Sequence, residues 1–151
     1  MSHLHNASDS DSIPKGGQDM NRIGTNYKAS SAGELQGPGR VVLHEALGLT
    51  GSEISINELP AGASIPFVHS HKRNEEVYII LEGKGRFHVD GDEFEVGEGT
   101  VVRVDPAGAR CLKAGDQGAM RYVCVQAEAR SLVQFTENDG VILESKPTWL
   151  K

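Results

Sequence analysis

His69-Ser70-His71-Lys72-Arg73-Asn74-Glu75-Glu76-Val77-Tyr78-Ile79-Ile80-Leu81-Glu82-Gly83 is the stretch around which this chain is organised. If Ile65 to His71 is extended, side chains two apart share a face, so His69 and His71 point the same way. Lys72 to Glu75 is polar and suits a turn, while Val77 to Leu81 is an apolar, β-rich run. The segment therefore reads as a hairpin. Glu76, at the start of the returning strand, sits across the turn from His71 and can bring a carboxylate oxygen to the same point. Two imidazole nitrogens and one carboxylate oxygen on a β scaffold match the open-sided arrangement of many non-haem metal sites. Gly83 closes the strand and marks the next turn.

Outward from this hairpin the pattern stays β. Val41 to Ala46 reads as a first strand, and Glu53 to Leu59 alternates as a half-buried one before Pro60-Ala61-Gly62 breaks it. Arg86 to Val89 precedes the turn Asp90-Gly91-Asp92, and Phe94 to Val96 follows as a short strand. Thr100 to Val104 ends at Asp105-Pro106-Ala107-Gly108, and Met120 to Gln126 is the last clear strand of the core. Strands this short and numerous leave exposed edges unless the sheets fold over one another or close, so an all-β jelly-roll barrel is expected.

The chain has 151 residues, enough for one domain with its own core, and its 18 glycines and 6 prolines agree with many turns. Its formal charge of −6 argues against a nucleic-acid surface, which needs concentrated Lys and Arg. The two cysteines, Cys111 and Cys124, do not form a CxxC pair. No apolar run is long enough to cross a membrane, and a basic segment followed by a hydrophobic one is not seen at the N-terminus. The expected setting is the cytoplasm, with no membrane and no nucleic-acid partner.

Residues 1–38 are polar and are expected to form a flexible arm, with Ile23, Tyr27 and Leu35 able to dock its later part. His3 and His5 have the spacing of a ligand pair, but in a polar tail they read as solvated side chains. The barrel domain is expected over residues 39–151, with a C-terminal extension from about residue 128. Ala127 to Gln134 reads equally as a short helix or a strand, and Val141 to Leu143 as an edge strand. Trp149 is expected to cover an apolar patch or a subunit contact.

These residues resemble the cupin superfamily, whose double-stranded β-helix carries two short motifs. The first motif has Gly, five residues, His-x-His, three or four residues, Glu, six residues and Gly. His69, His71, Glu76 and Gly83 fit it, while Gly62 lies one residue too far upstream. The second motif has Gly, five residues, Pro-x-Gly, two residues, His, three residues and Asn. Pro106-Ala107-Gly108 is present, but Cys111 stands at the histidine position, Gly115 at the asparagine position, and Gly99 is one residue too far upstream. The chain thus resembles a small single-domain cupin with a degenerate second motif.

The resemblance implies that His69, His71 and Glu76 bind one divalent transition metal, with Fe, Mn, Ni, Zn and Cu all open. Cys111 either completes the shell as a thiolate, favouring softer ions, or lines the site without binding. Glu75 competes with Glu76, but only Glu76 keeps the spacing to Gly83. Tyr78, sharing the parity of Glu76, is expected to line the interior, and His88 and Arg110 are further candidates for contact with a substrate. Arg103 and Arg121 are also candidates for an anion clamp, with solvated strand residues the commoner outcome. Catalytic residues are not assigned, and no organic cofactor is expected.

The family includes dioxygenases, isomerases, decarboxylases, storage proteins and sugar-binding domains, so the resemblance leaves the activity open. Metal-dependent chemistry on a small organic molecule, dioxygenase-like or isomerase-like, is the first expectation. A non-enzymatic sugar-type binding or regulatory domain is the alternative. A homodimer is expected in either case.

Overall fold

The computed structural model describes residues 22–32 and 39–151. Residues 1–21 and 33–38 of the expected arm, with His3, His5 and Leu35, lie outside the described residues. Ahead of the barrel, β1 (Arg22–Ile23) pairs with β2 (Lys28–Ala29) in a two-stranded ribbon. Ile23 and Tyr27 stay largely exposed rather than docking on the barrel.

Two antiparallel sheets form the body. One has five strands in the order β3 (Gly39–Val42), β4 (Glu53–Leu59), β10 (Met120–Glu128), β5 (Asn74–Glu82) and β8 (Val101–Val104). The other places β6 (Lys84–Val89) between β7 (Asp92–Gly97) and β9 (Arg110–Ala114). Side chains alternate across each strand, and the inward sets meet in one core. That core holds Tyr78, Ile80, Phe87, Leu112, Met120 and Tyr122 among others, with Phe87 and Met120 fully buried. The expected all-β jelly roll is the fold observed.

The chain passes between the sheets at Gly83 and Gly85. Gly83 has φ +83°, and a Cβ there would meet the Ala119 carbonyl; one at Gly85 would meet the Lys113 carbonyl. Only glycine satisfies the first position without strain, and neither has room for a side chain.

The inward face of β4 is polar. Ser55 and Asn57 are buried, and the Asn57 side-chain amide donates to the Ser55 hydroxyl at 2.9 Å. Leu59 continues this face and packs against the core, whereas Ile54 and Ile56 point the other way. On the outer face, Ile56 pairs across strands with Val41 and Val123, Ile54 with Val125, Val123 with Ile79, and Val125 with Val77. This aliphatic surface is only partly covered.

Several local expectations are corrected. The run after Val42 does not continue as a strand to Ala46; residues His44–Leu47 form a helical turn (α1), stopped by Gly48 at φ +66°. The histidine-bearing segment is extended but does not form the expected hairpin with β5, which pairs with β10 and β8; it bridges β9 instead, at Ser64↔Lys113 and His69↔Arg110. β9 was not anticipated, because its alternation places an arginine on the buried side. Val141 to Leu143 is not a strand, and Ile142 is 100% exposed. Beyond β10 the one regular element is a helical turn, α2 (Thr136–Asp139). Trp149 is 80% exposed, so it is not packed over an apolar patch among the described residues. Among the described residues, no helix is long and apolar enough to cross a membrane.

Candidate metal centre

The histidines owe their direction to backbone pairing along β9. Ile65 N donates to Leu112 O, His69 N to Arg110 O, Arg110 N to His69 O, and His71 N to Pro106 O, at 2.8–3.1 Å. With the segment held extended, both rings fall on one side, their centroids 5.2 Å apart and edge to face. Glu76, the third residue of β5, approaches from the five-stranded sheet. The Nε2 atoms of His69 and His71 lie 3.3 and 2.9 Å from the same oxygen, Glu76 Oε1.

The ligand atoms of these three residues all lie within 4.8 Å of one another. Two donors at right angles about an ion, each ~2.1 Å from it, are separated by about 3.0 Å. The observed separations from Glu76 match that spacing, and the two-nitrogen, one-oxygen set suits first-row divalent ions. The residues therefore fit a metal held on one face, with its other positions free.

Glu76 is 5% exposed and is ringed by donors. Tyr78 OH donates to Oε1 at 3.1 Å, and the Cys124 thiol donates to Oε2 at 2.9 Å. Burial alone pushes the Glu76 carboxyl up; the Cys124 thiol, His71, Tyr78 and Arg110 outweigh it and hold the group below its ordinary value. Burial and the adjacent carboxylate push the Tyr78 hydroxyl and the Cys124 thiol well up, so both stay protonated as donors. The site holds one anion with two neutral groups orienting it.

The second motif is realised one residue out of step with its count. On β9, Arg110, Leu112 and Ala114 face inward and are buried, so Cys111 faces outward. Cys111 Sγ donates to Ile65 O at 3.2 Å and lies 3.8 Å from Ser64 Oγ. Of the two alternatives left open for Cys111, the geometry favours lining without ligation: strand parity turns the sulfur away, and it is not among the clustered donor atoms. Arg110 takes the inward place: it is fully buried, donates from Nη2 to Asp105 O at 2.8 Å, and puts Nη1 3.6 Å from Glu76 Oε1. Among the described residues, its Nε and Nη1 find no hydrogen-bond partner.

The remaining candidates separate cleanly. Tyr78 faces the interior as its parity implied. His88 does not: it is the cross-strand partner of Cys111, and both line an outer groove of about 290 Å³ on the smaller sheet. Its expected contact with a substrate in the barrel is corrected accordingly. Arg103 and Arg121 lie away from the centre, paired with Asp105 and Glu82. An open cleft of about 390 Å³ is lined by Ser70, His71, Lys72, Arg73 and Asn74, so it borders the site at His71. Cys124 was missed as a site residue, although its parity in the central strand opposite Tyr78 was a usable signal.

The sequence matches the family described as Cupin domain over residues 55–126. It is 38% identical over 86 residues to an uncharacterised protein of Methanocaldococcus jannaschii, and that match covers 57% of this chain and 64% of the relative, so just under two thirds of the relative's length is spanned. A cupin protein from Bacteroides fragilis superposes with a TM-score of 0.73 at 46% identity, covering 78% of this chain and 98% of that one. A Klebsiella pneumoniae protein with a double-stranded β-helix domain, at 16% identity and TM-score 0.54, covers 74% of this chain and 85% of that one, and agrees in fold alone. Motif, architecture and near-complete coverage of the Bacteroides protein together place this chain in the cupin superfamily.

Proposed function

We propose that this cupin binds one divalent transition metal through His69, His71 and Glu76 and acts on a small organic molecule entering through the open cleft. The observation that carries this reading is the meeting of both Nε2 atoms on Glu76 Oε1. A metal held there would supply Lewis acidity or redox capacity. Tyr78 and Cys124 keep the Glu76 carboxylate oriented, and Lys72 at the mouth favours anionic compounds. Dioxygenase-like and isomerase-like reactions both suit such a site.

A second reading has a specific observation in its favour. Arg110 already sits beside the carboxylate that a metal would use, which suits a non-enzymatic protein holding a sugar or similar ligand without any ion. Elemental analysis of protein purified without added metal, repeated on His71→Ala, separates the two. Stoichiometric metal lost in the variant supports the first reading. A metal-free native protein that still binds small ligands supports the second.

We place the protein in the cytoplasm, since both cysteines are free and reduced thiols suit that compartment. Its partner is a small molecule rather than nucleic acid, in keeping with the acidic composition.

A further inference from the structure

Away from the metal centre, the smaller sheet carries a nucleophile, a base and a carboxylate in one row across three neighbouring strands. Cys111 on β9, His88 on β6 and Glu93 on β7 are consecutive cross-strand partners. Their side chains leave the same face, with Cβ atoms about 5 Å apart from one to the next. His88 Nδ1 lies 3.8 Å from Glu93 Oε1. All three line the outer groove of about 290 Å³, near the lower end of the volumes that hold small molecules.

The groove also has charge and an apolar wall. Arg86 and Lys113, cross-strand partners one step along the same face, place two cations beside the thiol. Arg86 shares Glu93 with His88, its Nη2 3.3 Å from Glu93 Oε2, whereas Lys113 has no carboxylate partner among the described residues. Glu95, the partner of Arg86 on β7, does not line the groove. Val68, 53% exposed, supplies the apolar side. Cys111 is a free, partly exposed thiol that donates to Ile65 O at 3.2 Å instead of being sealed in the core. Partly exposed cysteines beside cations are the reactive ones.

We propose that this groove is a second site of the protein, at which Cys111 exchanges with the disulfide of a small anionic thiol. Lys113 and Arg86 draw in the carboxylates of the disulfide, and Val68 packs on its apolar part. The Cys111 thiol turns from Ile65 O toward His88, which takes its proton. The sulfur then attacks one sulfur of the disulfide and forms a new S–S bond. The other half leaves with the electron pair of the broken bond and collects the proton from His88. Cys111 is oxidised and one thiol is released, with no further reagent. Cys111 faces away from the three metal donors, so the exchange is independent of a bound ion.

The test is intact mass spectrometry of the full chain over time with oxidised glutathione, which is anionic, or cystamine, which is cationic. Each rate at Cys111 is divided by the rate at Cys111 in the urea-unfolded chain. One glutathione per native chain is expected, located at Cys111 by peptide mapping, absent in Cys111→Ser and removed by dithiothreitol. The normalised rate with oxidised glutathione is expected to exceed that with cystamine by about tenfold. Arg86→Ala with Lys113→Ala is expected to bring the two within about twofold, and His88→Ala to slow both by about tenfold or more while keeping their ratio. No adduct on the native protein, an adduct at Cys124, or equal normalised rates overturn the proposal. So does a preference that the double alanine variant keeps, or a His88→Ala rate equal to the native one. Should the double variant fail to fold, salt decides: added salt is expected to slow oxidised glutathione on the native protein, and a rate indifferent to salt overturns the steering.

Discussion

Arg110 Nη1 lies 3.6 Å from Glu76 Oε1, and the arginine side chain is fully buried. A fixed cation thus stands against the carboxylate that the two histidines share. It offsets the charge of Glu76 and would repel a divalent ion entering the site.

Replacing that cation by a ligand should have a large effect, and the choice of position is decisive. Arg110→His removes the repulsion and adds an imidazole on the inward side of β9. Its affinity for Zn²⁺ or Mn²⁺ is expected to rise by about tenfold or more, roughly 1.4 kcal/mol. Cys111→His, which restores the motif by count, is expected to change it less than about twofold, since that side chain faces outward. Isothermal titration of both variants checks this, and the reverse order would show that the inward register is wrong.

The two cysteines should differ in reactivity. Cys124 is buried, hydrogen-bonded to Glu76 and held protonated, whereas Cys111 is partly exposed beside the outer groove. Thiolates, not thiols, are alkylated. Mass spectrometry after iodoacetamide treatment of native protein is expected to find modification at Cys111 and almost none at Cys124, with both modified in denaturant. Equal native labelling would contradict the placement of Cys124.

Alkaline unfolding should begin early. Burial pushes the Tyr122 hydroxyl up to about 12, against about 10 in an unfolded chain. Between those values the unfolded state binds fewer protons than the folded state, so stability falls as pH rises, by an amount on the order of 2 kcal/mol. Tyr78 is shifted in the same direction and adds to the loss. Urea midpoints measured from pH 9 to 12 are expected to fall less steeply for Tyr122→Phe than for the native chain; parallel slopes would rule out this origin.

Phe87 is fully buried, with its ring edge to face on Tyr78 at 5.0 Å between centroids. Phe87→Ala is expected to cost about 3–5 kcal/mol in chemical denaturation. A loss below about 1 kcal/mol would mean that the sheets close over the gap.

The clustering of His69, His71 and Glu76 was legible because the signals are local: two histidines at strand spacing, a polar turn, then a carboxylate that keeps its distance from Gly83; the hairpin expected between them was not, because the histidine segment pairs with β9 instead of β5. What could not be read from spacing was decided by pairing between distant segments. The inward residue of β9 depends on its bridge to His69, and counting from Pro106-Ala107-Gly108 selects Cys111 where the register selects Arg110. The inside and outside of β4 were similarly hidden. Its alternation is plain, but Ser55 and Asn57 rather than the isoleucines face the interior. The strand expected to run to Ala46 failed for a local reason, the left-handed Gly48 that ends a helical turn.

His69, His71 and Glu76 fall within eight consecutive residues, while Arg110 lies 34 residues beyond Glu76. β9 supplies both the backbone pairing that aims the histidines and the arginine that faces their shared carboxylate. Closing so long a loop is entropically costly, so the three donors gather only as β9 docks, and the cation arrives with them. A metal would therefore meet its donors in the finished barrel rather than in the unfolded chain, and its binding would raise the melting temperature by the full measure of its affinity for the native state.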